Sequence, residues 1–212
     1  MRAGLVMIPT VMLAFAAPLS PSEYRAGAFS DARLDGWTPQ VFNAETDYRL
    51  VERDRETVLE ARCDNAASAL VHTRRIDLRE TPILRWRWRV EGFPDAADET
   101  TRAGDDFGAR VYVVKRHRLL PWRTRAINYV WTARVPRGSD WANPYAAQAR
   151  MVAMRSGPGA WHTEEVNVRE DFLRFHGMDV DTIDGIAIMT DCDDTGGTAH
   201  ALYGDIIFTA AP

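Results

Sequence analysis

The sequence predicts an all-β protein, an antiparallel β-sandwich of the jelly-roll kind with one short helix. Short segments of alternating apolar and polar residues recur along the chain, and turn-forming residues separate them. Only one stretch has helical periodicity. A fold of alternating strands and helices needs helices of about ten or more residues between strands, and the chain has no room for them.

The first residues predict export. Arg2 supplies one positive charge, residues 3–13 are apolar apart from single interruptions, and Ala14 and Ala16 form an A-x-A cleavage pattern. The apolar run contains Pro9 and is shorter than the roughly 20 residues of a membrane-spanning helix, which disfavours a retained anchor. We expect a signal peptide over residues 1–16, an extension over 17–28 and one sandwich domain over 29–212. The mature protein is then periplasmic or secreted, with no membrane span after processing.

The charge balance argues against nucleic acid as a partner. The chain of 212 residues has 26 basic and 30 acidic residues, for a formal net charge of -4. Lys115 is the only lysine. The excess of arginine has two explanations, a GC-rich coding bias or the bidentate binding of carboxylates, and only position can decide between them.

The clearest strand covers residues 84–90, where apolar residues alternate with arginines. Weaker patterns predict strands at 58–62, 107–114, 127–132, 151–154, 162–168, 183–190 and 203–208. The helix is predicted at 170–175, with Gly177 as its C-terminal stop. The predicted core residues are Trp86, Trp88, Val111, Val113, Ile186 and Ile188.

A second pattern follows two adjacent aspartates. Alternation over residues 106–113 places Asp106, Arg110 and Tyr112 on one face, while Phe107 and Val111 lie on the other. If this strand and strand 84–90 share a sheet, their outer sides together form a polar surface that could hold a sugar or a carboxylated ligand. The alternative is a solvated face of compensating arginine and aspartate pairs.

A third pattern, after the strand at 183–190, suggests a cation. Asp191, Asp193 and Asp194 supply hard oxygen ligands of the kind that calcium prefers. The spacing lacks the EF-hand glycine and closing glutamate, and aspartates are also ordinary turn formers. The calcium loop is therefore a hypothesis with a purely structural alternative.

The two cysteines, Cys63 and Cys192, could form a disulfide in an oxidising compartment, or stay as two inert thiols. No cysteine and histidine spacing suggests zinc.

Enzyme signatures are mostly missing, because the sequence has no nucleophile elbow, no zinc-protease motif and no phosphate-binding glycine loop. A catalytic acid and base need only meet in space, so they could still come from a set of carboxylates whose proximity the sequence does not show: Asp105, Asp106, Asp191, Asp193 and Glu164. Catalytic residues therefore stay unassigned. Asp171, near the helix start, could stabilise the helix N-terminus as readily as bind a ligand.

One ordered set of motifs resembles the bacterial family known as domain of unknown function 3047. The set comprises Leu84-x-Trp86-x-Trp88, Asp105-Asp106-Phe107-x-x-Arg110-Val111-Tyr112, Tyr129-x-Trp131, Asn143-Pro144-Tyr145, Asn167-Val168, Asp191-x-Asp193 and Tyr203-Gly204-Asp205-Ile206. The resemblance covers residues 29–208. It implies an exported protein with a fold similar to galactose-binding-like jelly rolls and no established activity. Cys192 stands where the family motif would have a threonine or another small residue, so its partnership with Cys63 would be particular to this chain.

Three functions follow as expectations, with a non-enzymatic role favoured. The leading one is an exported binding module for a glycan or another polar or anionic ligand, aided by calcium. Its predicted ligand-binding residues are Arg87, Asp106, Arg110, Tyr112, Asn143 and Asn167. The alternatives are a lyase or hydrolase acting on an anionic polysaccharide, and a structural or assembly partner in the envelope that would have no pocket.

Overall fold

Two β-sheets pack face to face in the computed structural model, which describes residues 23–95 and 98–212. The predicted signal peptide over residues 1–16 lies outside the described residues. In chain order the elements are β1 (Glu23–Gly27), β2 (Trp37–Asn43), β3 (Asp47–Arg53), β4 (Glu56–Asp64), β5 (Ala67–His72), β6 (Ile76–Asp77), β7 (Ile83–Gly92), β8 (Ala109–Lys115), β9 (Arg125–Thr132), β10 (Asp140–Ala142), β11 (Ala149–Ser156), β12 (His162–Asn167), α1 (Val168–His176), β13 (Thr182–Ile183), β14 (Gly185–Asp191) and β15 (Thr198–Thr209). No helix in these described ranges is both long and apolar enough to cross a membrane.

The strands divide into two large sheets and one small one. Sheet A has the order β12-β7-β15-β4-β3, with β1 also paired to β15. Sheet B has the order β10-β11-β9-β8-β14-β5-β2. Strands β9 and β11 pair in parallel, and the other neighbours in both sheets pair antiparallel. Short strands β6 and β13 form the third sheet.

Aromatic rings fill the space between the sheets. Trp86 packs on Tyr129 with ring centroids 5.4 Å apart, and Trp88 packs on Trp131 at 5.6 Å. Large aromatic side chains bury much apolar area, and such paired rings add stability beyond that area. The predicted core is confirmed, because each of its six members is at most 1% exposed.

The outer face of sheet A is a layer of compensated charges. Arg87 binds Glu56 at 2.5 Å and lies over the ring of Trp161 at 4.3 Å. Arg85 pairs with Glu165, and Arg89 pairs with Glu91. For these arginines the compensating-pair alternative is the correct one.

The prediction that Arg87 and Arg110 contribute to one surface is wrong. Strand β7 belongs to sheet A and β8 to sheet B. Both strands turn their apolar residues into the same core, so their arginines point away from each other on the two outer faces of the sandwich.

Asn167 and Gly177 set the two ends of helix α1. The Asn167 side chain accepts a hydrogen bond from the Glu170 backbone N–H at 3.2 Å, which is the usual function of an N-cap asparagine. Gly177 ends the helix with a left-handed φ of 64°. The Tyr129 hydroxyl donates to Asp171 at 2.7 Å. Asn167 and Asp171 therefore have local structural partners.

A disulfide joins the two sheets. Cys63 lies near the end of β4 in sheet A, Cys192 follows β14 in sheet B, and the bond links positions 129 residues apart. Ala66 and Ala199 bury it. A crosslink of this span closes a large loop in the unfolded chain and so lowers the conformational entropy of the unfolded state.

We expect replacement of both cysteines by alanine to lower the free energy of unfolding by at most about 5 kcal/mol, the loop-entropy value for a loop of this size. Urea unfolding of the oxidised protein and of the double variant measures the difference. Reduction of the native protein with dithiothreitol should produce a comparable loss. Equal stability of all three samples would contradict a structural disulfide.

Candidate ligand-binding site

A groove lies on the outer face of sheet B, on the side away from sheet A. Its larger cavity has a volume of about 450 Å³, within the usual range for small-molecule sites. The floor is formed by residues of β8, β9 and β14, and the walls come from β2 and from the segments that follow β10 and β14. The lining includes Phe42, Asn43, Asp105, Arg110, Tyr112, Asn128, Asn143, Tyr145, Met189, Asp191, Asp193 and Asp194.

Arg110 is the centre of this floor, and it is 3% exposed. Its Nε donates to Asp191 Oδ1 at 2.8 Å, and a second guanidinium nitrogen bonds the other Asp191 oxygen. The same guanidinium lies 3.5 Å from Asp105 and contacts the Asp105 carbonyl. The Phe107 backbone N–H also donates to Asp191, at 3.2 Å. Arg110 is therefore occupied by protein carboxylates and has little capacity left for an anionic ligand.

Asn143 extends the cluster to a third segment of the chain. Its Nδ2 donates to Asp105 Oδ2 at 3.1 Å. Its Oδ1 accepts from the backbone N–H groups of Tyr145 and Ala146, each at 2.9 Å, and so shapes the turn after β10. The buried ion cluster thereby positions the wall that carries Tyr145.

Burial alters the protonation of this cluster. Burial raises the pKa of Asp191 to about 8. The positive charge of Arg110 lowers this pKa, whereas the negative charges of Asp105 and Asp106 raise it further. The pKa of Asp105 is also raised by burial, although Arg110 and Asn143 lower it. A single buried cation cannot compensate two buried carboxylates fully, so the pair holds a proton more readily than exposed aspartates do.

Asp106 lies behind the groove and holds one wall in place. Its carboxylate accepts from the backbone N–H groups of Asp194 and Thr195 at 3.2 and 2.8 Å, and from the Thr195 hydroxyl at 2.7 Å. Asp106, Asp193 and Asp194 bring carboxylate oxygens within 4.8 Å of one another. This acidic cluster could hold a metal ion, and it differs from the predicted set because Asp191 pairs with Arg110 instead.

Two exposed aromatic residues form the edges of the groove. Phe42, 61% exposed, comes from β2 at one edge of sheet B. Tyr145, 50% exposed, follows β10 at the opposite edge, and its hydroxyl bonds Asp194. The Arg102 guanidinium lies 4.3 Å from the Tyr145 ring centre and supports the ring from one side.

The groove continues past this cavity along the sheet. A second cavity of about 210 Å³ is lined by Phe42, Tyr112, Val71, Val114 and Arg116. Phe42 and Tyr112 line both cavities, so the two are neighbours on one face. The two cavities together form an extended groove, a shape that suits an elongated ligand.

The structure brings together only part of the predicted site. Arg110, Tyr112 and Asn143 line the groove, Asp106 supports it from behind, and Asn167 lies at the start of α1. Sequence reasoning missed Phe42 and Asn128. Phe42 was missed because β2 contains Pro39 and has no clear alternation, whereas Asn128 lies in the predicted strand at 127–132 and was identifiable as its outward polar residue.

Phe107 does not face the core between the sheets, contrary to the alternation pattern. Strand β8 begins only at Ala109, so period-two geometry does not extend back to Phe107. Phe107 packs with Val130, Met151 and Trp141 in a separate apolar cluster, and Arg110 lies over its ring at 4.4 Å.

The family is settled by comparison with known proteins. The model of a family described as "Protein of unknown function (DUF3047)" matches residues 35–207. The chain belongs to this family. None of the curated proteins matches it significantly.

Solved structures are similar to this chain at low sequence identity. The family 30 carbohydrate-binding module of the cellulosomal cellulase Cel9D-Cel44B of Clostridium thermocellum superposes with a TM-score of 0.51 at 9% identity, over 88% of this chain and 98% of that one. The xyloglucanase domain of NopAA from Sinorhizobium fredii gives a TM-score of 0.48 at 8% identity, over 92% and 100%. Endoglucanase Cel12A from Rhodothermus marinus gives 0.45 at 11% identity, over 89% and 99%. The two packed sheets and the similarity to the Clostridium thermocellum module confirm the predicted β-sandwich of the jelly-roll kind.

We expect Arg110→Gln to lower the free energy of unfolding by about 3–5 kcal/mol, because it leaves two buried carboxylates without their cation. Arg150→Gln is the matched control, since Arg150 pairs with Asp140 but is 34% exposed, and such pairs contribute about 1 kcal/mol or less. Urea unfolding at about pH 8.5, above the pKa of Asp191, measures both variants. Equal losses of unfolding free energy in the two variants would show that the buried cluster contributes no more to stability than an exposed ion pair.

The same variant should also change the dependence of stability on pH. A carboxyl whose pKa is higher in the folded than in the unfolded protein stabilises the fold most when the pH is below its unfolded-state pKa, which is 3.8 for aspartate. This stabilisation is lost as the pH rises through the folded-state pKa, which is about 8 for Asp191. Removal of the Arg110 guanidinium raises the folded-state pKa values of the two carboxyls further. The loss in free energy of unfolding caused by Arg110→Gln should therefore be larger at about pH 8.5 than at about pH 5. Unfolding at both pH values tests this, and a deficit independent of pH would contradict it.

Proposed function

We propose that this protein is an exported binding module for a neutral, elongated glycan held in the groove of sheet B. The observation that carries the proposal is the form of the groove. Phe42 and Tyr145 come from opposite edges of sheet B and both line the larger cavity, and a second cavity adjoins it beside Phe42. Aromatic rings give flat apolar surfaces to ligands whose other groups are polar, and polar side chains between them set orientation.

The floor offers hydrogen-bonding groups to hydroxyls. Asn128 is 1% exposed and lines the larger cavity, and its Oδ1 has no partner among the described residues. A buried acceptor without a partner is costly, so a ligand hydroxyl that donates to it would be favoured. Tyr112, beside it on the floor, donates only to the sulfur of Met189, at 3.1 Å.

The charges of the groove favour a neutral ligand over an anionic one. Four carboxyl groups line the larger cavity, Asp105, Asp191, Asp193 and Asp194, against the single compensated guanidinium of Arg110. Even with Asp191 protonated, the other three outnumber this one positive charge. A uronate would meet net negative charge there. This disfavours the alternative of an enzyme on an anionic polysaccharide, and the presence of the cavity disfavours an envelope partner without a pocket.

The fold and the disulfide support the remaining parts of the proposal. The similar module from Clostridium thermocellum is named as carbohydrate-binding, which supports the present proposal by analogy of fold alone. The bond between Cys63 and Cys192 suits an oxidising compartment, so we place the mature protein in the periplasm or outside the cell.

We expect Phe42→Ala and Tyr145→Ala each to weaken glycan binding about tenfold, a loss of about 1.4 kcal/mol of contact with the sugar face. Trp122→Ala is the matched control, because Trp122 is 67% exposed and lines neither cavity. Titration calorimetry with neutral oligosaccharides and uronic-acid oligosaccharides, chosen by a thermal-shift screen, measures the affinities. Preferential binding of uronates, or equal loss in the Trp122 variant, would overturn the proposal.

We further propose calcium at the cluster of Asp106, Asp193 and Asp194, where three carboxylates offer hard oxygen ligands. Calcium at about a hundredfold excess over its dissociation constant should stabilise the fold by about 2.7 kcal/mol, and a chelator should reverse this. Thermal unfolding measures the effect, with Asp193→Asn expected to abolish it and Asp184→Asn, an aspartate outside the cluster, as control. An unchanged melting temperature with calcium would contradict the proposed calcium site.

A further inference from the structure

The connection between β8 and β9, residues 116–124, carries the two most exposed large apolar side chains of the described structure. Leu119 is 79% exposed and Trp122 is 67% exposed. Neither lines the groove of sheet B. Exposed apolar side chains in the same short loop are a common mark of a contact surface.

The same loop concentrates positive charge on a chain with an acidic balance. Arg116, Arg118 and Arg123 are exposed, and none has a carboxylate within ion-pair distance in the described part of the chain. This contrasts with the outer face of sheet A, where Arg85, Arg87 and the neighbouring Arg89 all have carboxylate partners. The loop therefore presents uncompensated guanidinium groups beside apolar side chains.

Hydrogen bonds give the loop a defined shape. The His117 ring accepts from the backbone N–H groups of Leu119 and Leu120 at 3.4 and 3.1 Å. The Arg123 N–H donates to the Leu120 carbonyl at 2.8 Å and closes a turn. These bonds keep Leu119 and Trp122 on one tight turn between the arginines.

We propose that this loop docks the protein on an anionic phospholipid surface. Guanidinium groups bind lipid phosphates, tryptophan prefers the region of the headgroups, and leucine enters the acyl boundary. A polyanionic glycan would explain the arginines but would leave Leu119 and Trp122 in water. A membrane surface accounts for both the basic and the apolar residues of the loop. Arg116 also lines the second cavity of the groove, whereas Leu119 and Trp122 line neither cavity.

Vesicle flotation tests the proposal directly. The chain from residue 17 onward contains every described element and lacks the apolar segment 3–16, which would bind lipid by itself. Vesicles of phosphatidylglycerol with phosphatidylcholine provide the anionic surface, and pure phosphatidylcholine provides the neutral one. We expect flotation only with anionic vesicles, with binding weakened when ionic strength rises from ~0.1 M to ~1 M and the Debye length shrinks from about 10 to about 3 Å.

Two loop variants and one matched control complete the design. Arg116→Gln/Arg118→Gln/Arg123→Gln and Leu119→Ser/Trp122→Ser should each lower the partition coefficient about tenfold or more. Arg55→Gln/Arg75→Gln/Arg137→Gln removes the same charge from exposed arginines that also lack carboxylate partners, and it should retain binding. Circular dichroism verifies that each variant is folded.

Three results would overturn the proposal. The first is no flotation of the wild-type protein with anionic vesicles. The second is an equal loss of vesicle binding in the control triple variant, which would indicate that binding depends on total positive charge and not on this loop. The third is loss with the arginine variant but full binding by Leu119→Ser/Trp122→Ser, which would indicate a polyanion without lipid insertion.

Discussion

The buried ion cluster around Arg110 is the constraint on which the site depends. A guanidinium buried to this degree must be compensated, and the compensating groups come from Asp105 before β8 and Asp191 at the end of β14. Asn143 then ties the turn after β10 to Asp105. Three segments that are far apart in sequence are thereby held around one charge, and their spacing defines the groove.

One further polar contact connects this cluster to sheet A, and a separate one holds the N-terminal segment. The Tyr203 hydroxyl of sheet A donates to the Met189 carbonyl at 2.7 Å and accepts from the Arg110 backbone N–H at 3.3 Å, so it crosses between the sheets. Asp205 accepts from the Ser30 backbone N–H and hydroxyl and pairs with Arg25, which holds the N-terminal segment on β15. The family motifs that contain these residues thus have structural explanations independent of any ligand.

Charge is distributed unevenly over the surface of the molecule. The outer face of sheet A is neutralised by pairs such as Arg87 with Glu56, the groove of sheet B is acidic, and the β8–β9 loop is basic with exposed apolar residues. A small net charge therefore hides regions of opposite character, each of which suits a different kind of partner.

Sequence alone determined the fold class, most strands and the core, because the alternation around Trp86 and Trp88 is a local property of a strand with one buried face. It also singled out Arg110, Tyr112 and Asn143, which line the groove of sheet B. It could not assign β7 and β8 to different sheets, since alternation tells which side of a strand is buried but not which strand lies beside it. The pairing of Asp191 with Arg110 and the placement of Phe42 opposite Tyr145 depend on long-range contacts, which only the tertiary structure decides.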